Sequence, residues 1–229
     1  KKLLKMVETE SMKDRFTVRD ILLTSLIKAF TDIFDENEIT VMLESHGREN
    51  SIGNCDLSRT AGWFTAMYPV RFVFSDIFDC IKMLDEVQTE LRRVPDNGIG
   101  YGVLKYMSKV LNDVQKYIRF NYLGNVASGY EDSLIKKVVP DLSINSGKEN
   151  INTCFIDINC IHMNENIIAS FECSRFFMDI HKLEELASHF ETNLKELINE
   201  YYNSNREHIF VSKFTAVSNP NSDFDDLFE

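Results

Sequence analysis

Residues 39 to 70 concentrate the side chains that can do chemistry. An apolar run, Ile39-Thr40-Val41-Met42-Leu43, leads into Glu44-Ser45-His46-Gly47-Arg48-Glu49. The chain continues through Asp56-Leu57-Ser58-Arg59-Thr60-Ala61-Gly62-Trp63-Phe64-Thr65 to Tyr68-Pro69-Val70. Two acids, a histidine and an arginine thus follow one strand-like segment. Such groups exchange protons and stabilise charge, and few structural needs call for so many at one strand end. Two readings of Glu44 stand open on these residues alone. It is a proton-transfer group, or it is a strand-end carboxylate paired with Arg48 or Arg59.

The elements that must position this cluster can be read from periodicity. Val18, Ile21, Leu22, Leu23, Leu26, Ile27, Phe30, Ile33 and Phe34 recur at helical spacing, with Thr17 as a cap. Ile39 to Leu43 reads as a short buried strand, and Glu44 to Arg59 as a loop. Gly62 to Phe74 is aromatic and β-branched and reads as a second strand, in which Pro69 marks a bend or an edge. Ser75 to Val94 reads as a helix capped by Ser75, with Asp76 in its first turn. Pro95-Asp96-Asn97-Gly98-Ile99-Gly100-Tyr101-Gly102 is a glycine-rich loop, followed by a short helical stretch over 103–107.

Tyr117 to Gly124 reads as a strand with a glycine exit, and residues 131–150 as polar surface. Thr153 to His162 and Asn166 to Ser174 form a hairpin pattern turning near Asn164-Glu165. Cys154, Ile156, Ile158 and Cys160 share one face of its first strand. His181 to Tyr202 is a long amphipathic helix, and the acidic tail 222–229 reads as partly ordered at best. Interleaved helices and strands give an α/β or α+β class, and α/β is the expectation.

A chain of 229 residues with 44% hydrophobic content can bury a sizeable core. Its formal net charge of −11 argues against a broad nucleic-acid face or an anionic membrane surface as partner. No apolar run reaches the roughly 20 residues of a membrane span. The five cysteines are widely spaced with apolar neighbours, which reads as reduced core residues in a cytoplasmic protein, with no metal site. The chain begins at Lys1 without methionine and reads as a piece of a longer one.

Four ordered segments carry a resemblance: Glu44 to Glu49, Asp56 to Val70, Pro95 to Gly102, and Phe120-Asn121-Tyr122-Leu123-Gly124. Together they closely resemble the second half of an epimerization domain of nonribosomal peptide synthetases, of the condensation-domain superfamily. The family pattern runs E-G-H-G-R-E, D-L-S-R-T-V-G-W-F-T with Y-P-V, P-x-x-G-x-G-Y-G, and F-N-Y-L-G. Ser222-Asp223-Phe224 is similar to its C-terminal S-D-F. Ser45, Ala61 and Asn125 depart from the pattern, and none of these removes an ionisable group. The family's H-H-x-x-x-D-G motif is absent from the chain.

The resemblance implies a fold similar to chloramphenicol acetyltransferase: two α/β lobes with a tunnel between them, of which residues 1–229 are the C-terminal lobe. A central mixed sheet flanked by helices is expected. The implied reaction is removal and return of the α-proton of an aminoacyl or peptidyl thioester. Glu44 would be one proton-transfer group, facing a histidine of the other lobe. The alternatives are a non-catalytic carrier-docking lobe and a condensation-type acyl transferase.

By the same resemblance, Tyr122 donates a proton or hydrogen bond to the enolate, or else is a core tyrosine; adjacent strand residues face opposite ways, so only one of Asn121 and Tyr122 faces the tunnel. Arg48 orients Glu44 or acts as a structural clamp paired with Glu49, and His46 stabilises the loop or serves as a second base. Ser58, Arg59 and Thr60 line the entrance for the carrier arm or cap a turn. Trp63 and Phe64 pack between lobes or wall the tunnel, and Tyr101 lies in a loop bridging the lobes. No cofactor is expected, because phosphopantetheine arrives on the carrier protein. The implied partners are that peptidyl carrier protein, the N-terminal lobe, and neighbouring adenylation and condensation modules. Isolated, the 229-residue chain is expected to be inactive.

Overall fold

A computed structural model describes residues 3, 15–49, 56–57, 59–112, 114, 117–125, 154–163 and 166–203. Cys55, Ser58, the segment 131–150, the turn at Asn164-Glu165 and the tail 222–229 lie outside these residues.

Helix α1 spans Val18–Phe34. Its start is fixed by a reciprocal pair of hydrogen bonds. The Asp20 N–H donates to Thr17 Oγ1 at 3.2 Å, and the Thr17 N–H donates to Asp20 Oδ2 at 2.9 Å. Two of the otherwise orphaned donors at the helix start are thereby satisfied. Strand β1, Glu38–Ser45, and strand β2, Ala66–Val73, form an antiparallel ladder. This corrects the expected boundary after Leu43. Glu44 pairs with Met67 and Ser45 with Ala66, so both belong to the strand rather than to the loop beyond it. Pro69 is accommodated because β2 lies at the sheet edge.

Helix α2 spans Cys80–Arg93, four residues later than the Ser75 cap predicts. Asp79 caps it, accepting from the Lys82 N–H at 2.9 Å. Asp76 instead accepts from the Phe78 N–H at 2.9 Å, and Ser75 donates to Glu86 at 2.9 Å. Asp76 closes a local turn, and this competes with its use in a first helical turn.

The glycine-rich segment is wound rather than open: a 3-10 turn at Pro95–Gly98, one α-turn at Ile99–Gly102 and a π-turn at Val103–Met107. Strands β3, Ile118–Asn125, β4, Ile156–Met163, and β5, Asn166–Cys173, complete the sheet, and helix α3 spans Ile180–Asn203.

The sheet is mixed, in the order β2-β1-β3-β4-β5. The two outer pairings are antiparallel, and β1–β3 and β3–β4 are parallel. Ile39, Val41 and Leu43 of β1, Ile118 and Phe120 of β3, and Ile156, Ile158 and Cys160 of β4 point into one core. Leu22, Leu26 and Ile27 of α1, Met83, Leu84 and Val87 of α2, and Leu186, Phe190 and Leu197 of α3 fill its other side. All are buried, and burial of each large side chain is worth about 1.5–3 kcal/mol relative to exposure. The helices therefore cover one face of the sheet; the opposite face carries Glu44, Arg119, Asn121, Asp157 and Asn159 together with the buried apolar side chains Met42 and Ile161. No helix among the described residues is long and apolar enough to cross a membrane.

Candidate functional site

The polar face follows from strand alternation. With Val41 and Leu43 turned to the core, Met42 and Glu44 point the other way. The parallel register sets Met42 beside Arg119 and Leu43 beside Phe120, which brings Asn121 next to Glu44. Asn121 Nδ2 donates to Glu44 Oε2 at 3.0 Å. One strand further, Arg119 faces Asp157 and Asn121 faces Asn159. Arg119 grips Asp157 with two parallel hydrogen bonds, Nε to Oδ1 at 2.9 Å and Nη2 to Oδ2. Glu172 of β5 lies opposite Asp157. A polar strip thus crosses the sheet from Glu44 to Glu172.

Glu44 is half-buried, and loss of hydration pushes its carboxyl above the ordinary range. The Arg119 charge works against that rise, and the Asp157 charge adds to it. Glu172 is shifted upward for the same reasons, burial first and Asp157 second. A carboxylate raised toward neutrality is a stronger base at cellular pH than an ordinary glutamate.

Neither arginine expected as a partner for Glu44 makes that pair in the structure. Arg48 Nη1 donates to the carbonyls of Leu57 at 2.5 Å and Thr60 at 2.9 Å, and its guanidinium stacks over Phe64, 4.2 Å from the ring centre. It is a clamp, but on backbone rather than on Glu49. Arg59 is exposed in the turn, which the Thr60 N–H closes onto the Leu57 carbonyl at 3.1 Å. His46 stabilises the loop: Nδ1 accepts from the Arg48 N–H at 3.0 Å and Nε2 faces Glu49 at 3.4 Å. The loop needs glycine at 47, where φ is +62° and a Cβ would lie 1.7 Å from the Phe64 carbonyl oxygen.

Tyr122 requires a correction. It packs against the helix-covered core beside Ile118 and Phe120, with Cys160 as its register partner. It therefore lies on the opposite face of the sheet from Glu44, and Asn121 occupies the position expected of it. Trp63 is 91% exposed. Tyr101 packs against the core, and its buried hydroxyl has no hydrogen-bond partner among the described residues. The glycine-rich turn braces the cluster from the core side, since Ser45 Oγ donates to the Asn97 carbonyl and Asn97 Nδ2 to Glu49 Oε1, both at 2.9 Å.

A cavity of about 520 Å3 opens between the start of α1, the end of α2 and this turn, lined by Arg15, Thr17, Arg19, Arg92, Glu49 and Asn97 among others. Its walls do not include Glu44. Among the described residues, no three His, Cys, Asp or Glu side chains converge to hold a metal ion.

The sequence reading missed Arg119, Asp157, Asn159 and Glu172. The signal available was the polar half of each alternation, Arg119-x-Asn121 and Asp157-x-Asn159.

A family model described as a condensation domain matches residues 1–216. The chain belongs to the condensation-domain family. This condensation-family chain is 31% identical to bacitracin synthase 1 of Bacillus licheniformis over 203 residues, 88% of this chain and 4% of that protein. It is 32% identical to bacitracin synthase 3 of the same organism over 184 residues, 79% of this chain and 3% of that one. Its fold is similar to the crystal structure of the epimerization domain from the third module of tyrocidine synthetase B. The TM-score there is 0.75, with 24% identity over 87% of this chain and 46% of that one. The first condensation domain of the CDA synthetase is similar at a TM-score of 0.55 and 13% identity, over 86% and 42% of the two chains. The chain thus spans a few per cent of the curated relatives it matches and under half of these solved domains.

Proposed function

We propose that this condensation-family chain is the C-terminal lobe of an epimerization domain. It would act on an aminoacyl or peptidyl thioester carried on the phosphopantetheine arm of a carrier protein in a nonribosomal peptide synthetase. The reading rests on one observation above all. Glu44 lies on the polar face of the sheet, raised by burial, held by the Asn121 amide and unpaired with Arg48.

Glu44 takes the α-proton, and the electron pair left on carbon delocalises into the thioester carbonyl as an enolate. A group on the opposite side returns a proton to the other face of that carbon. By the family resemblance that group is the histidine of the N-terminal lobe's H-H-x-x-x-D-G motif. Asn121 fixes the carboxylate direction, so that no rotamer search is needed at the moment of transfer. Phosphopantetheine is part of the substrate, and no other cofactor enters. Carrier protein, N-terminal lobe and the adjoining adenylation and condensation modules are the partners.

A condensation-type acyl transfer is the second reading, favoured by the family model itself. The deciding experiment loads the carrier with an aminoacyl thioester in deuterated water and follows exchange at Cα by the full-length protein. Exchange that Glu44→Gln abolishes is expected. Undiminished exchange in that variant would remove Glu44 from the mechanism, and new amide formed with a second carrier would favour condensation.

A further inference from the structure

We infer that Asp157 is a positioning residue: it occupies Arg119 and so keeps that guanidinium from pairing with Glu44. The inference rests on the proposed role of Glu44 as the proton-transfer group. Arg119 and Asn121 are alternate residues of β3 on the same face as Glu44, and Asn121 is bonded to it. An arginine this near a half-buried carboxylate would ordinarily close a salt bridge. That would stabilise the ionised form and weaken it as a base. Here the planar fork of Arg119 is turned toward β4 and engaged through both Nε and Nη2 by the two oxygens of Asp157. A guanidinium that donates two parallel bonds to one carboxylate is held with its plane turned toward that partner, and only Nη1 and the second Nη2 hydrogen remain to offer elsewhere. Asp157 is itself buried, so breaking the pair exposes an uncompensated charge and resists partner exchange.

The other groups facing Glu44 do not substitute for this arrangement. From β2 the residue opposite Glu44 is Met67, which is apolar. Arg71, further along β2, is engaged by Glu38, with Nε to Oε1 and Nη2 to Oε2 both at 2.5 Å. Glu172 on β5 faces Asp157 rather than Glu44. The helices lie on the other side of the sheet. Among the described residues, the charges that act on Glu44 are then Arg119 and Asp157, with opposite signs.

The test uses the full-length protein and two readouts. The first is carbodiimide labelling of the Glu44 carboxyl across pH, read by peptide mass spectrometry; the second is Cα deuterium exchange on the loaded carrier. In Asp157→Asn, Arg119 is released toward Glu44. The labelling midpoint should fall by about one pH unit, and exchange near neutrality should drop roughly ten-fold. The double variant Asp157→Asn with Arg119→Gln removes the released cation. Its midpoint should return to within about 0.3 unit of the unmutated value, and exchange should recover most of its rate. A purely structural role for the pair predicts a double variant at least as impaired as the single one.

An unmoved midpoint in Asp157→Asn, or no recovery in the double variant, overturns the inference. Labelling that shifts and recovers as described, in a protein that shows no exchange at all, would sink the epimerase reading and leave the protective role of Asp157 standing.

Discussion

Asn121 Nδ2 lies 3.0 Å from Glu44 Oε2, across a separation of 77 residues. The contact exists because β1 and β3 run parallel in one register, with Met42 beside Arg119 and Leu43 beside Phe120. Two strands whose apolar halves are committed to the same core must present their polar halves side by side. The hydrogen bond that orients Glu44 is therefore a consequence of core packing by Val41, Leu43, Ile118 and Phe120.

Removing that bond should cost rate more than affinity. Asn121→Ala leaves the Glu44 carboxylate without its donor, and a hydrogen bond to a charged group is worth about 1.5–3 kcal/mol. Exchange at Cα should fall roughly ten- to a hundred-fold in kcat, with KM for the loaded carrier little changed. Asn121→Asp is more severe at neutral pH, because a second carboxylate against Glu44 raises its pKa further and the two share a proton. Its residual activity should climb as pH rises. Steady-state exchange between pH 6 and 9 checks both, and an unchanged kcat in Asn121→Ala would show that the amide does not orient the base.

Glu44 should carry a stability cost at neutral and alkaline pH. Burial raises its carboxyl in the folded state above the ordinary 4.5. A raised folded value means that the fold favours the protonated form. The favourable contribution is complete below the unfolded pKa and is lost as pH rises through the folded one. Glu44→Gln is neutral throughout and can still accept from Asn121. It should therefore melt higher than the unmutated protein at pH 8, by on the order of 1–2 °C once solvent screening of a half-exposed side chain is allowed for. The two should converge below about pH 4.5, the ordinary value from which Glu44 departs. Thermal melts at pH 8 and pH 4 decide it; a variant less stable than the parent at pH 8 contradicts the raised pKa.

The parts of this fold that were legible in the sequence are those decided by neighbours along the chain. Helix α1 could be read from its apolar spacing, and its cap from Thr17. β3 could be read from Tyr117 to Gly124. The start of α2 was missed because three candidate caps, Ser75, Asp76 and Asp79, stand within five residues, and the choice turns on which one closes a competing local turn. The role of Tyr122 was misplaced for a different reason. Asn121 and Tyr122 face opposite ways, and which of them meets Glu44 depends on the face that the helices cover. The Arg119–Asp157 pair joins positions 38 residues apart through a parallel register that local periodicity does not encode.

Arg48 should act on the turn and leave Glu44 untouched. Its guanidinium reaches both the Leu57 and Thr60 carbonyls while stacking on Phe64. A lysine keeps the charge but is a point donor without the planar fork, so Arg48→Lys should not rescue the clamp. The loss should be about 1–2 kcal/mol of stability. Faster hydrogen exchange should appear at the Thr60 amide, whose bond to Leu57 closes the turn. The carbodiimide midpoint of Glu44 should not move. A midpoint shifted in Arg48→Lys would return Arg48 to the acid–base machinery.

The cysteines among the described residues should react slowly in the folded protein, in an order set by burial. Cys154 and Cys160 are buried, and desolvation pushes the Cys160 thiol up to about 12. Thiolate is the reactive form, so at pH 8 the folded protein holds almost none of it at Cys160. Cys173, at the end of β5, is half-buried, and its thiol is also raised by burial. Iodoacetamide at pH 8 should therefore modify Cys173 slowly and leave Cys160 unmodified until denaturant is added. Raising the pH to 9 should speed modification of Cys173 far more than that of Cys160, because Cys160 remains both protonated and enclosed. Rapid modification of Cys160 in the native protein, read by peptide mass spectrometry, would mean that the β4 core face opens far more often than its packing against β3, β5 and the helices implies.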